Sequence, residues 1–285
     1  MEQLSGRTAV VTGGGSGIGR GLALALGAEG MGVAVLDLNG EAAQGVADEI
    51  ADAGGRALGL AVDVTSSEAL AGAAKEVSAR FGGVHLLCAN AGVMLPLGPL
   101  TEKSEADWEY VFSVNVHGVV KTVNAFLPFL RAADEAHIVN TASLGGVVAV
   151  PQFPIGVYVA SKYACVGYSE CLRAELAVEG IGVSVLCPGV VASDLYRTSA
   201  AQRPQRFGGP EEVDLPALDA AAEKADEPAA LPPSAMRAED VGPIVIQGVR
   251  ENRLHIFTHP DAAPVAEARF TSIRADFEAA ARDRV

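Results

Sequence analysis

Four cysteines, five histidines and a shortage of basic residues set the first limits on what this 285-residue chain can be. Cys88, Cys165, Cys171 and Cys187 lie in apolar segments without the paired short spacings of a zinc site, so all four are expected to be reduced core residues. His85, His117, His137, His255 and His259 are scattered; no metal is expected, and none of the five is given a catalytic role. Lys and Arg number 21 against 35 Asp and Glu, a net charge of -14, which argues against nucleic acid or an anionic membrane as partner. No apolar run approaches the ~18 residues that a membrane span needs. The stretch Met1 to Arg7 is too short and polar for a secretory leader, so a soluble, cytoplasmic protein is expected.

What is present is an alternation. Short apolar runs, partly β-branched and bounded by turn residues, fall at 8–12, 32–37, 57–62, 85–89, 137–141, 183–187 and 255–258 and predict buried strands. Between them, alanine-rich segments with helical spacing at 17–29, 40–53, 67–80, 105–130, 158–179 and 239–252 predict helices. Strands alternating with helices imply an α/β protein with a parallel sheet of about seven strands covered on both faces. A single domain over 1–285 is expected. Two stretches break the rhythm: 193–236, rich in proline, alanine and acids, is expected to be a lid over the substrate, and 262–285 a helical extension. Phe270, Ile273 and Phe277 have the spacing of one helix face, expected to pack on the body or on another subunit.

The first run leads into Thr12-Gly13-Gly14-Gly15-Ser16-Gly17-Ile18-Gly19, which opens a helix. Glycines there permit a tight turn and let backbone N–H groups and the helix dipole approach a pyrophosphate, as in a Rossmann-like doubly wound fold. Asp37 ends the second run, near where such folds place an acid on the adenosine ribose; its carboxylate would accept from the ribose hydroxyls and repel a 2′-phosphate. Ser16 stands where a cation often accompanies phosphate recognition. The expected cofactor is NAD rather than NADP.

Tyr158 and Lys162 stand four residues apart, which on a helix sets their Cβ atoms about 5–6 Å from one another on one face. An ammonium beside a phenol favours the phenolate: at about 4 Å and an effective dielectric near 20 the attraction is roughly 4 kcal/mol. Ser143, earlier in the chain, would hydrogen-bond a substrate oxygen and steady developing charge. Behind a dinucleotide loop, these groups point to hydride transfer with Tyr158 as the proton-exchanging group.

Taken in order, Thr12-Gly13 through Gly17-Ile18-Gly19, Asp63 in Val-Asp-Val-Thr, Asn90-Ala91-Gly92, Asn115, Ser143, Tyr158 through Lys162 and Pro188-Gly189 resemble the short-chain dehydrogenase/reductase family over nearly the whole chain. The resemblance implies that Asp63 meets the adenine amino group, with Val64 flanking the ring, and that Asn90-Ala91-Gly92 forms the cofactor floor. It implies that Pro188, Gly189, Val191 and Ser193 embrace the nicotinamide; Ser193 stands where the family commonly has threonine. Lys162 would also hold the nicotinamide ribose, and Asn115 would bind a water connecting Lys162 to solvent. The interval from Ser143 to Tyr158 is a little longer than usual in the family, so the residues near Pro151–Pro154 reshape a substrate-facing loop. By resemblance too, the chain is expected to form a homotetramer or homodimer through helices 105–130 and 158–179.

Candidate walls of a substrate pocket are apolar: Val93, Met94, Leu95, Leu144, Val150, Phe153, Leu195 and Tyr196. Such walls suit a small-molecule hydrophobic secondary alcohol or its ketone. The alternatives are reduction of a 3-oxoacyl thioester, against which Asp37 counts, and a nonenzymatic NAD-binding sensor or scaffold on the same fold.

Overall fold

Strand β1 (Thr8–Thr12) is buried along its whole length, which is why its sequence runs apolar without alternation: both faces of this strand are covered. The computed structural model describes residues 1–95, 97–149, 153–210 and 235–282. Around β1 are β2 (Gly32–Asp37), β3 (Arg56–Ala61), β4 (Leu86–Ala89), β5 (His137–Thr141), β6 (Gly182–Cys187) and β9 (His255–Phe257). They form one parallel sheet in the order β3-β2-β1-β4-β5-β6-β9. A separate two-residue pairing joins β7 (Val191–Ala192) to β8 (Met236–Arg237).

Side chains alternate across the sheet and divide the core in two. Ala9, Val11, Val33, Val35, Leu86, Cys88 and Val139 face α1 (Gly17–Ala28), α2 (Gly40–Asp52) and the helix Val241–Arg250. Val10, Ala34, Leu36, Leu87, Ile138 and Val183 face α3 (Ser67–Phe81), α5 (Val119–Arg131) and α6 (Gly156–Leu176), with Phe126 fully buried among them. Each such Val, Leu, Ile or Phe contributes about 1.5–3 kcal/mol on burial. Polar residues fix the helix starts: Asn39 accepts from Glu41 N and Ala42 N at α2, and Ser66 from Ala69 N at α3. At α4 (Glu105–Phe112), Ser104 and Asp107 form a capping box.

Strand order reverses between β1 and β4, so their connections leave on opposite sides and open a crevice at the carboxyl ends of the strands. That edge carries Thr12, Asp37, Ala89 and Thr141.

Two expectations require correction. The helix expected over 105–130 is interrupted by a π-helical turn, Ser113–Gly118, between α4 and α5. Cys171 is exposed, whereas Cys88, Cys165 and Cys187 are buried. The C-terminal helix Ala263–Arg282 docks on the body through Val265 and Ala266, and its Phe270 (57% exposed), Ile273 and Phe277 (74%) are exposed among the described residues. Residues 211–234 of the expected lid lie outside the described residues. No described helix is long and apolar enough to cross a membrane, and no cluster of metal-ligand side chains occurs among the described residues.

His137 begins β5 fully enclosed, its Nε2 2.8 Å from Ser184 Oγ. Burial, reinforced by the positive charges of the chain terminus and Arg173, lowers its pKa to about 3. The unfolded chain therefore takes up a proton below about pH 6.5 that the folded state refuses, and stability falls as pH falls. Between pH 7.5 and 5 this residue should remove about 2 kcal/mol. Denaturant unfolding at both pH values, on the native chain and His137→Phe, measures it by difference; equal pH slopes in the two proteins would contradict the assignment.

Candidate active site

The glycine loop turns between β1 and α1. Gly13 has φ +61°, and a Cβ there would lie 2.8 Å from Ala91 Cα, so only glycine lets the loop lie against the Asn90-Ala91-Gly92 segment. A Cβ at Gly19 would collide with the Gly13 carbonyl, so that residue too is confined to glycine. Ser16 occupies the N-cap position of α1 without a side-chain capping bond, and the first turn has no acidic residue. The amino end of α1 thus presents N–H groups and a positive dipole end to the crevice. Asp37 closes β2 and accepts from Gly15 N through Oδ2 (2.9 Å) and from Asn39 N through Oδ1 (2.9 Å). Both oxygens retain acceptor capacity toward the cleft.

Three central strands are braced at this edge by a network. Thr12 Oγ1 accepts from Asn90 N (3.0 Å) and Ala91 N (3.1 Å). Asn90 Nδ2 donates to Thr12 O at 3.0 Å, and its Oδ1 accepts from Thr141 Oγ1 at 3.1 Å. Asn90 therefore fixes the switch point itself. Thr12 and Thr141 were not singled out individually from sequence, because a buried strand-end threonine carries no distinguishing local signal.

Helix α6 places Tyr158 and Lys162 on one face, with Lys162 Nζ 5.4 Å from the centre of the Tyr158 ring. Lys162 is only 3% exposed; its Nζ donates to Thr141 O at 2.9 Å, and it makes no ion pair among the described residues. An ammonium has three protons, so donor capacity remains toward the cleft that it lines. Asn115 sits in the π-helical turn, a conformation often found at functional sites. Its Oδ1 accepts from Val93 N (2.8 Å), while Nδ2 donates to Val93 O (2.9 Å) and Ser161 Oγ (2.9 Å). Ser161 Oγ in turn donates to Tyr158 O at 2.7 Å. A Cβ at Gly92 would lie 3.3 Å from both Asn115 Oδ1 and Lys162 Nζ, so this glycine keeps the space between those two groups open. Asn115 is wholly buried and does not line the cleft. Ser143 follows β5, accepts from Gly145 N at 3.1 Å, and lines the cleft together with Tyr158.

The cleft has an open volume of about 1500 Å³ counted out to solvent. Gly13, Ser16, Gly17, Ile18, Gly19, Asp37, Asp63, Val64, Asn90, Ala91, Gly92, Pro188, Gly189, Val191 and Ser193 all reach its wall. The substrate side is less well anticipated. Leu195 lines the cleft, but Leu95 is packed against Tyr110, Val111, Val157 and Phe207, and Leu144 against Val148 and Ala262. Met94, Phe153 and Tyr196 are not part of the wall; Met94 N instead donates to Ser199 Oγ, and Leu97 N to Tyr196 Oη. Val150, Pro151 and Gln152 lie outside the described residues. Tyr110, Val114, Phe207 and Arg206 supply walls instead. They come from α4, the π-helical turn and the segment after α7 (Leu195–Ala201), none of which carries a local motif.

Two buried groups frame this side. Arg203 pairs with Asp107 at 2.8 Å, its Nε donating to Phe207 O at 2.6 Å, and Tyr110 Oη donates to Ser199 O at 2.9 Å. Burial pushes the Tyr110 phenol up to about 12 against the lowering influence of Arg203, so it stays protonated and structural. At Asp107, burial raises the carboxyl, but hydrogen bonds from Ser104 and the Arg203 guanidinium outweigh it and leave the net shift downward.

A doubly wound parallel sheet with a glycine loop at its switch point and an acid closing the second strand defines a dinucleotide-binding α/β protein. The family model described as short chain dehydrogenase matches residues 7–204. A short-chain dehydrogenase/reductase from Burkholderia phymatum, solved in complex with NAD, is 33% identical, with 97% of each chain covered and a TM-score of 0.86. A short-chain dehydrogenase from Burkholderia cenocepacia, solved in complex with NADP, is 28% identical over 90% of this chain and 96% of its own, with a TM-score of 0.72. The cyclohexanol dehydrogenase of an Acinetobacter species is 34% identical over 217 residues, 74% of this chain and 86% of that protein. The chain belongs to the short-chain dehydrogenase/reductase family of oxidoreductases.

Proposed function

We propose that the chain uses NAD to interconvert a hydrophobic secondary alcohol and its ketone. The observation that carries this reading is a buried ammonium, Lys162, with no counter-ion among the described residues, set over the ring of Tyr158 at the wall of a glycine-loop cleft. A buried charge without a partner is costly unless a ligand or a reaction uses it. NAD supplies a ring carbon that accepts hydride from the carbinol carbon. In that reading, Tyr158 Oη takes the hydroxyl proton in oxidation and returns it in reduction. Lys162 sets its ammonium beside the Tyr158 ring and holds the nicotinamide ribose through its remaining protons. Ser143 Oγ donates to the substrate oxygen and steadies its charge. Asn115 shapes the polar space beside Gly92 through which a water would link Lys162 to solvent. The cyclohexanol activity of the Acinetobacter relative and the apolar walls Val93, Leu195 and Phe207 support the substrate class.

Relatives are solved with NAD and with NADP, so the preference rests on Asp37. Its carboxylate is held by two backbone N–H groups on the cleft wall, where a 2′-phosphate would meet like charge. Like-charge contacts cost several kcal/mol, which corresponds to at least about 10²-fold in kcat/KM favouring NAD. Reduced-cofactor absorbance at 340 nm with either dinucleotide tests it. Equal efficiencies would overturn the assignment, and Asp37→Ala should narrow the gap chiefly through KM.

A further inference from the structure

Among the described residues, the C-terminal helix Ala263–Arg282 is held at its root alone. Ala262, Val265 and Ala266 pack on Leu144 and Val148, and the Arg269 guanidinium carbon lies 5.2 Å from the centre of the Tyr163 ring on α6. From Phe270 to Arg282 every residue is exposed apart from a partly covered Ala279. This free part is about 20 Å of helix. Isolated helices of about 12–15 residues are marginal in water and draw most of their stability from packing an apolar face. Such a face is present: Phe270, Ile273 and Phe277, three and four residues apart, form a stripe that Ala266 continues toward the root and Ala280 toward the end. Contiguous exposed apolar side chains of this kind mark an interaction surface.

The charges beside the stripe identify what covers it. Arg269, Arg274 and Arg282 balance Glu267, Asp276 and Glu278, so this helix is neutral in a chain whose net charge is -14. A neutral face gives a strongly charged partner no attraction, and two copies can meet on it without like-charge repulsion in the contact. Arg269 and Asp276, two turns apart, lie on one flank of the stripe, and Asp276 makes no ion pair among the described residues. In an antiparallel two-fold pairing, like flanks meet and each contact between two positions occurs twice. With the axis at Ile273, Phe270 meets the partner's Phe277, and Arg269 reaches the partner's Asp276. Apolar stripe and charges thus match in one register. We propose that the C-terminal helix is a dimerisation arm, pairing antiparallel with the same helix of a second copy of this chain.

Analytical ultracentrifugation of the full chain over a concentration series tests this. Phe277→Glu, at an exposed position, should raise the dissociation constant of one association step at least about 30-fold, so that the mass reached at a given concentration is half that of the native chain. Arg269→Glu and Asp276→Arg should each weaken the same step about tenfold, because two symmetric pairs become like-charge contacts. The double variant restores both pairs with the charges exchanged and should return to within about threefold of the native value. That rescue separates pairing between copies from burial of the stripe by another part of the same chain. A native chain that is monomeric throughout, a Phe277→Glu variant that assembles as the native chain does, or a double variant as weak as either single one would overturn the antiparallel arm.

Discussion

Tyr158→Phe should bind NAD as tightly as the native chain and turn over at least 10²–10⁴-fold more slowly, the range for loss of a general acid/base. The reasoning is local. The substitution removes one hydroxyl from a half-buried ring on the cleft wall and leaves the Lys162 contact with that ring and its bond to Thr141 O in place. The Tyr158 backbone carbonyl still accepts from Ser161, so the link to Asn115 is undisturbed. The fold and the cofactor floor therefore survive, and the loss falls on kcat. Fluorescence titration with NAD, run beside steady-state kinetics, separates the two quantities. Turnover within a few-fold of native would remove Tyr158 from the chemistry.

Lys162→Met should damage both binding and chemistry. At 5.4 Å and an effective dielectric near 20, the charge interacts with an anionic Tyr158 ring by about 3 kcal/mol, roughly two orders of magnitude in rate. The donors proposed to hold the ribose disappear as well, so KM for NAD should rise at least about tenfold. Methionine fills a similar volume, and replacing a buried charge by an apolar side chain is often neutral for stability, so the variant should fold. Lys162→Arg should fail to restore turnover, because a planar fork does not reproduce a compact ammonium seated on one carbonyl. If Lys162→Met altered neither KM nor kcat, the electrostatic account would be wrong.

Much of this was legible in the chain itself, for a specific reason. A strand buried on both faces, such as Thr8–Thr12, reads as a short, largely apolar run bounded by turn residues; His137–Thr141, with only Ile138 and Val139 apolar, was found by the same bounds, and both strands begin and end as expected. The Tyr158 and Lys162 pair was visible because helical spacing converts directly into proximity. The π-helical turn at Ser113–Gly118 was not, since weak helix formers such as Val114, Asn115 and Gly118 also occur in regular helices, and the turn coincides with the bonds that Asn115 makes to Val93. Leu95 and Leu144 illustrate the opposite failure: apolar residues beside a motif serve core and cleft equally well until packing decides. Arg206 could not have been located on the cleft wall, because its partner Thr65 lies in the turn after β3, 141 residues earlier, and no spacing rule joins them. Phe270, Ile273 and Phe277 had the spacing of a packed face, yet periodicity does not specify what such a face meets.

The central claim is that a hydride passes between a carbinol carbon and a nicotinamide held in this cleft. It is tested most directly by incubating the native chain with NAD and secondary alcohols, cyclohexanol among them, deuterated at the carbinol carbon, then weighing the recovered cofactor by mass spectrometry. The account predicts reduced cofactor one mass unit heavier, formed by the native chain and not, on the same timescale, by Tyr158→Phe. Tight NAD binding with no deuterium in the cofactor from any alcohol of the panel would contradict it.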